Sequence, residues 1–221
     1  MEKKTTDWKN FLLYILAIVG AFIILALFFS KEKSIPNQTQ NESTQSASMT
    51  GKYSSPSEMG IDTNKKYSAS VTTNYGNFTF ELFTKETPIT VNNFVFLAND
   101  GFYNGTVFHR IIKGFMIQGG DPQGDGTGGP GYSFADEPIN RDYKRGIVAM
   151  ANSGPNTNGS QFFIMHQDNN LPKNYVIFGQ ITKGMETIDK IAEVEVETNS
   201  QGEPSKPKTK VTINNITINE N

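Results

Sequence analysis

The residues able to do chemistry in this chain are few. Cysteine is absent, and histidine occurs only as His109 and His166. Thiol nucleophiles, disulfides, iron–sulfur clusters and Cys-ligated zinc are thereby excluded, and a His-rich metal site has no ligands to draw on. No metal and no cofactor is expected. Between residues 110 and 118 two hydrogen-bonding groups stand among apolar ones. Arg110 carries a permanent charge and five N–H donors in a rigid fork. Gln118 both donates and accepts, and Phe115, Met116 and, further on, Phe163 supply apolar surface. Such a set offers no nucleophile. It can aim donors at a charge that develops in a transition state. Taken singly, Arg110 reads as a surface or salt-bridged arginine, and the three apolar residues read as core.

Other chemistries fit poorly. Asp121-Pro122-Gln123-Gly124-Asp125-Gly126 has the look of a calcium loop, but it lacks the third acidic position and the distal glutamate. The glycine-rich stretch 124–131 lacks the Gly-Lys-Ser/Thr of a phosphate loop. His109 adjoins Arg110, so strand alternation turns it to the opposite face, where it is structural; His166 reads as a loop residue.

The elements that must position these residues are short and strand-like. Tyr67–Thr73 and Phe78–Phe83 flank Asn74-Tyr75-Gly76-Asn77, a hairpin signal. Thr87-Pro88 opens a helix, with Thr87 as N-cap and Val91, Phe94, Val95 and Ala98 as its apolar stripe. Strands are expected at 107–111, 115–118, 146–151, 161–165 and 176–180. Met185, Ile188, Ile191 and Ala192 have helical spacing, and the chain closes on a strand through 211–218. Many short strands with two helices predict an all-β barrel or sandwich, with 16 Phe to pack it. The 221 residues suit one such domain, and a net charge of −2 with no basic face argues against a nucleic-acid partner.

Two long blocks are more specific. Phe108-His109-Arg110-Ile111-Ile112-Lys113-Gly114-Phe115-Met116-Ile117-Gln118-Gly119-Gly120-Asp121 resembles the signature segment of the cyclophilins, which are peptidyl-prolyl cis-trans isomerases. Residues 150–164, from Met150-Ala151-Asn152 to Gln161-Phe162-Phe163-Ile164, are similar to that family's other hallmark. Gly126-Thr127-Gly128-Gly129 and Val176-Ile177-Phe178-Gly179 match as well, so the resemblance covers residues 66–220. It implies a closed eight-stranded antiparallel barrel capped by two helices. It also implies binding of proline-containing polypeptides and isomerisation of their X-Pro bonds.

The resemblance assigns roles to residues. Arg110 corresponds to the catalytic arginine, with Gln118 beside it. Phe115, Met116, Phe163 and Leu171 become walls of a proline pocket. Asn152 matches the position whose backbone receives the substrate as an added strand-like segment. Gln161 is a further polar wall residue, and Gly126 and Ala151 line the neighbouring pocket. Two positions depart from the pattern. Many members carry a tryptophan just before the leucine, where this chain has Asp168-Asn169-Asn170-Leu171-Pro172; the missing indole removes an aromatic wall that cyclosporin would use. Tyr175 replaces the pocket histidine and keeps an aromatic surface with a polar tip. A proline-binding scaffold or holdase is the alternative function, although a pure binder has no need of a charge placed for a transition state.

The first 65 residues fall outside this pattern. Residues 11–29 form an uncharged apolar run. At ~1.5 Å per residue it is about long enough for a hydrocarbon core of ~30 Å. It reads as an uncleaved signal anchor in preference to a cleaved signal peptide, because no small-x-small site follows. Lys3, Lys4 and Lys9 precede it and Lys31 and Lys33 follow, a slight bias that keeps residues 1–10 cytoplasmic and the domain outside. Residues 30–65 are polar and predict a flexible, disordered tether. Acceptor patterns for N-glycosylation occur at Asn41, Asn77, Asn104, Asn158 and Asn215. A glycan at Asn158 would crowd the site, which suits the surface of a bacterial cell that lacks this modification. The expected protein is therefore a membrane-tethered monomer.

Overall fold

The computed structural model describes residues 52–220. The expected membrane segment 11–29, the residues before it and the start of the tether lie outside the described residues. Among those described, no helix is long and apolar enough to cross a membrane.

In chain order the elements are β1 (Tyr67–Thr73), β2 (Gly76–Leu82), α1 (Pro88–Asn99), β3 (Arg110–Ile112), β4 (Met116–Gly119), β5 (Ile147–Met150), β6 (Phe162–Met165), β7 (Ile177–Lys183), α2 (Met185–Ala192), β8 (Val196–Thr198), β9 (Pro204–Pro207) and β10 (Ile213–Glu220). Eight strands form one curled antiparallel sheet in the order β10-β1-β2-β7-β5-β6-β4-β3. The all-β class and the two helices match the expectation. Full closure of the barrel is not shown, since the outer strands β3 and β10 share no ladder. The segment before β3 makes single bridges instead, from Val107 to both Thr212 and Asp121. Backbone bonds Gly105 N–H to Ile213 O (2.8 Å) and Phe108 N–H to Val211 O (2.9 Å) stitch this seam.

Both faces of the sheet are buried where the candidate residues lie. Side chains alternate along a strand. Ile111, Ile117, Ile164 and Val148 join the larger core under α1, in which Phe94 meets the rings of Phe80, Tyr103, Phe162 and Phe178 at 5.1–5.8 Å. Met116, Phe163, Ala149, Ile147 and Met165 face the other way into a second, smaller cluster with Tyr143 and Phe83.

Two local expectations are corrected, and one further element is found. Thr87 makes no side-chain cap to α1. The carboxylate of Glu137, from a distant loop, accepts the N–H groups of Ile89 (3.0 Å) and Thr90 (2.7 Å) instead. An acidic side chain satisfies the exposed donors of a helix start and suits its positive end. The tether does not extend to residue 65. Tyr53 packs on Phe96, Phe102 and Tyr132, its N–H reaches Pro130 O (2.9 Å), Ile61 is buried, and Asn92 Oδ1 accepts Gly60 N–H at 2.8 Å. One tyrosine and one isoleucine in a polar stretch are enough to lay 53–61 along α1. Finally, β8 and β9 form a separate two-stranded hairpin, which the sequence does not announce, because most of its residues are charged or exposed and show no apolar alternation.

Candidate active site

Register alone brings the central residues together. Arg110 pairs with Gln118 across β3 and β4, Gln118 with Phe163 across β4 and β6, and Phe163 with Ala149 across β6 and β5. Directly paired residues share a face, so Arg110, Gln118 and Phe163 stand in one row. The β3–β4 turn runs through Gly114 at φ +81°, and it carries Phe115, whose carbonyl accepts His166 N–H at 2.9 Å. His166 Nδ1 in turn accepts Gly114 N–H at 2.9 Å, so this buried loop histidine holds the turn.

Arg110, Phe115, Met116, Gln118, Ala151, Asn152, Phe163, Leu171 and Tyr175 line one cavity of about 250 Å³. An adjoining cleft of about 150 Å³ shares Gln118, Ala151 and Asn152 and adds Gly126, Thr127 and Gln161. Every residue assigned to the site from the sequence thus lines one of the two. The walls are packed from behind. Met116 and Phe163 are buried, and the Phe163 ring meets Tyr175 edge-on at 5.5 Å.

The polar rim is a chain of side chains. Arg110 Nη1 lies 3.4 Å from Gln118 Oε1 and 3.9 Å from Met116 Sδ. Gln118 Nε2 donates to Gln161 Oε1 (3.0 Å), and Gln161 Nε2 donates to the carbonyls of Gly126 and Gly128, both at 2.9 Å. This order fixes both amides and, among the described residues, leaves one Gln118 N–H unused. Gly126 sits at φ +92°, in a loop wound around the buried Asp121, whose carboxylate accepts the N–H groups of Gln123, Asp125 and Gly126. That structural role replaces the calcium-loop reading. Asn152 ties its side chain to Asn174 O (2.8 Å), and among the described residues its own N–H and carbonyl take no backbone partner. The expectation that His109 faces away is corrected: it precedes β3 and lines a further cavity with Arg110, Gln118 and Gly126, where burial pushes its pKa down.

Two neighbours were not legible in the sequence. Glu203 binds Arg110 through both carboxylate oxygens, at 2.6 and 2.7 Å. Tyr143 holds the backbone of Tyr175. Neither lies in a motif, and only a tertiary contact identifies either.

The sequence profile described as "Cyclophilin type peptidyl-prolyl cis-trans isomerase/CLD" matches residues 68–218. The chain belongs to the cyclophilin family. Its cyclophilin domain is 46% identical over 168 residues to the "Probable peptidyl-prolyl cis-trans isomerase B" of Mycobacterium tuberculosis, a match covering 68% of this chain and 54% of that protein. The chain thus spans about half the length of such relatives. It is 42% identical over 160 residues to the human "Peptidyl-prolyl cis-trans isomerase-like 3", covering 70% of this chain and 97% of that one. Among solved structures, a cyclophilin type peptidyl-prolyl cis-trans isomerase of Cryptosporidium parvum superposes with a TM-score of 0.65 at 41% identity, over 71% of this chain and 99% of that one. The same protein has also been solved in the presence of the dipeptide Ala-Pro, with a TM-score of 0.64 to this cyclophilin domain.

Proposed function

We propose that the chain is a peptidyl-prolyl cis-trans isomerase that lowers the barrier to X-Pro rotation without covalent chemistry. The observation that carries this is the placement of Arg110 Nη1 beside Gln118 and Met116, on the wall of an apolar cavity. An X-Pro amide resists rotation by ~18–20 kcal/mol, because the C–N bond is partly double. As it twists, conjugation is lost and the proline nitrogen becomes pyramidal and gains a lone pair. A donor aimed at that nitrogen favours the twisted form over the planar one. Proline has no N–H, so Phe115, Met116, Phe163 and Leu171 can hold its ring without stranding a polar group. The spare Gln118 N–H suits a substrate carbonyl, and the unpartnered Asn152 backbone suits the residues before proline.

The test is turnover of a proline tetrapeptide by wild type and Arg110→Ala. Loss of such a donor lowers the rate about 10²–10³-fold. If the folded variant keeps more than about a third of the activity, Arg110 is not the donor; binding without any turnover by wild type would favour the scaffold reading.

The clients we propose are exported proteins as they fold. Residues 11–29 anchor the protein in a cell membrane, with the domain outside, and the charge bias around the segment supports this orientation. One chain supplies every residue of the site, which suits a monomer. Carbonate-resistant membrane association, together with release of the domain by protease added to intact protoplasts, is the expected result. Protection from that protease would reverse the orientation, and spontaneous release would point to cleavage.

A further inference from the structure

Resting on that reading, we infer that Glu203, just before β9, is the positioning residue of the site: it holds the guanidinium of Arg110 so that Nη1 alone is presented to the substrate.

The contact is a two-pronged one. Arg110 Nε donates to Glu203 Oε2 at 2.6 Å, and Nη2 donates to Oε1 at 2.7 Å. A paired carboxylate and guanidinium fix the plane of the fork as well as its position. The fork is thereby divided. One edge belongs to Glu203, and among the described residues Nη1 is left with only a long contact to Gln118 and a weak one to Met116 sulfur. An unrestrained arginine would sample several rotamers, and only some would place a donor at the amide nitrogen. Holding it in advance removes that loss from the chemical step.

The hairpin network holds the backbone that carries Glu203. Asn199 anchors the tip: its Oδ1 accepts the N–H groups of Gln201 (2.9 Å) and Glu203 (3.0 Å), and its own N–H donates to Glu203 O at 2.8 Å. Asn199 Nδ2 also reaches the buried Ser205 Oγ at 3.1 Å. Gly202 turns the chain at φ +84°. Most of the hairpin's residues are exposed, so its network serves to place Glu203 more than to bury apolar surface. The Arg110 guanidinium also keeps the Glu203 carboxyl below its usual range, so the pair is charged at neutral pH.

The experiment uses full-length protein in mild detergent, with kcat and KM measured separately on a proline tetrapeptide. Glu203→Ala should lower kcat about tenfold and leave KM within about twofold. Glu203→Asp should recover part of that loss and Glu203→Gln less, because the charge holds the fork. Arg110→Ala combined with Glu203→Ala should be no slower than Arg110→Ala alone, since a residue that acts only through Arg110 has nothing left to position. Circular dichroism and melting confirm that each variant is folded. A folded Glu203→Ala with wild-type or higher kcat would overturn the inference, the higher value meaning that the ion pair competes with substrate. Independent, multiplying losses in the double variant would overturn it too. The underlying reading fails separately, by an inactive wild type or an active Arg110→Ala.

Discussion

Tyr143 and Tyr175 are joined through a single oxygen. Tyr143 Oη accepts the N–H of Tyr175 at 3.0 Å and donates to its carbonyl at 2.9 Å. A buried side chain on one loop therefore fixes the backbone that presents the Tyr175 ring to the cavity. Tyr143→Phe keeps the ring and removes both bonds. Leaving two backbone groups unpaired should cost about 1–3 kcal/mol in stability, and the displaced Tyr175 wall should raise KM. Denaturant unfolding and tetrapeptide kinetics check the two effects; an unchanged KM would mean that Tyr175 is held by other contacts.

Phe115 and Phe163 line the same cavity but differ in burial. Phe163 is 5% exposed, whereas Phe115 is only partly buried at the edge of its cluster. Phe163→Ala should lose ~3–5 kcal/mol of stability together with activity. Phe115→Ala should lose comparable activity and much less stability. Melting curves beside rates per folded molecule separate these outcomes.

The strap 53–61 should stabilise the domain without touching its chemistry. It crosses α1, and none of its residues lines the candidate cavity. A chain starting at Lys66 should melt lower than one starting at Lys52 and turn over peptide at the same rate per folded molecule. Equal melting temperatures would show that these contacts contribute nothing.

Stability should fall in mild acid through His109. Burial depresses its pKa from 6.5, so below that pH the unfolded chain binds a proton that the folded chain resists. The loss should begin as pH drops through 6.5 and level off once the folded form also protonates. His109→Gln should flatten that part of the melting-temperature profile.

The residues that make the cavity could be read from the chain because strand register is written locally. Arg110 and Gln118 are joined by a tight turn at Gly114, so their pairing follows from a short stretch of sequence. The apolar alternation on either side decides which face each takes. The long blocks at 108–121 and 150–164 then identified the family and, with it, Phe163, Asn152 and Leu171. Composition alone excluded thiol and His-rich metal chemistry. Contacts that join distant segments without a periodic signal were different. Glu203 reaches Arg110 from a charged hairpin, Glu137 caps α1 from a remote loop, and Tyr53 docks across a helix from a polar stretch. In each case a single side chain meets its partner only after the chain has folded, and one isolated residue has no spacing to betray it. The seam of the sheet is decided in the same way. Whether β3 and β10 pair fully depends on how far the whole sheet curls, a sum of small twists along eight strands that no local stretch of sequence encodes.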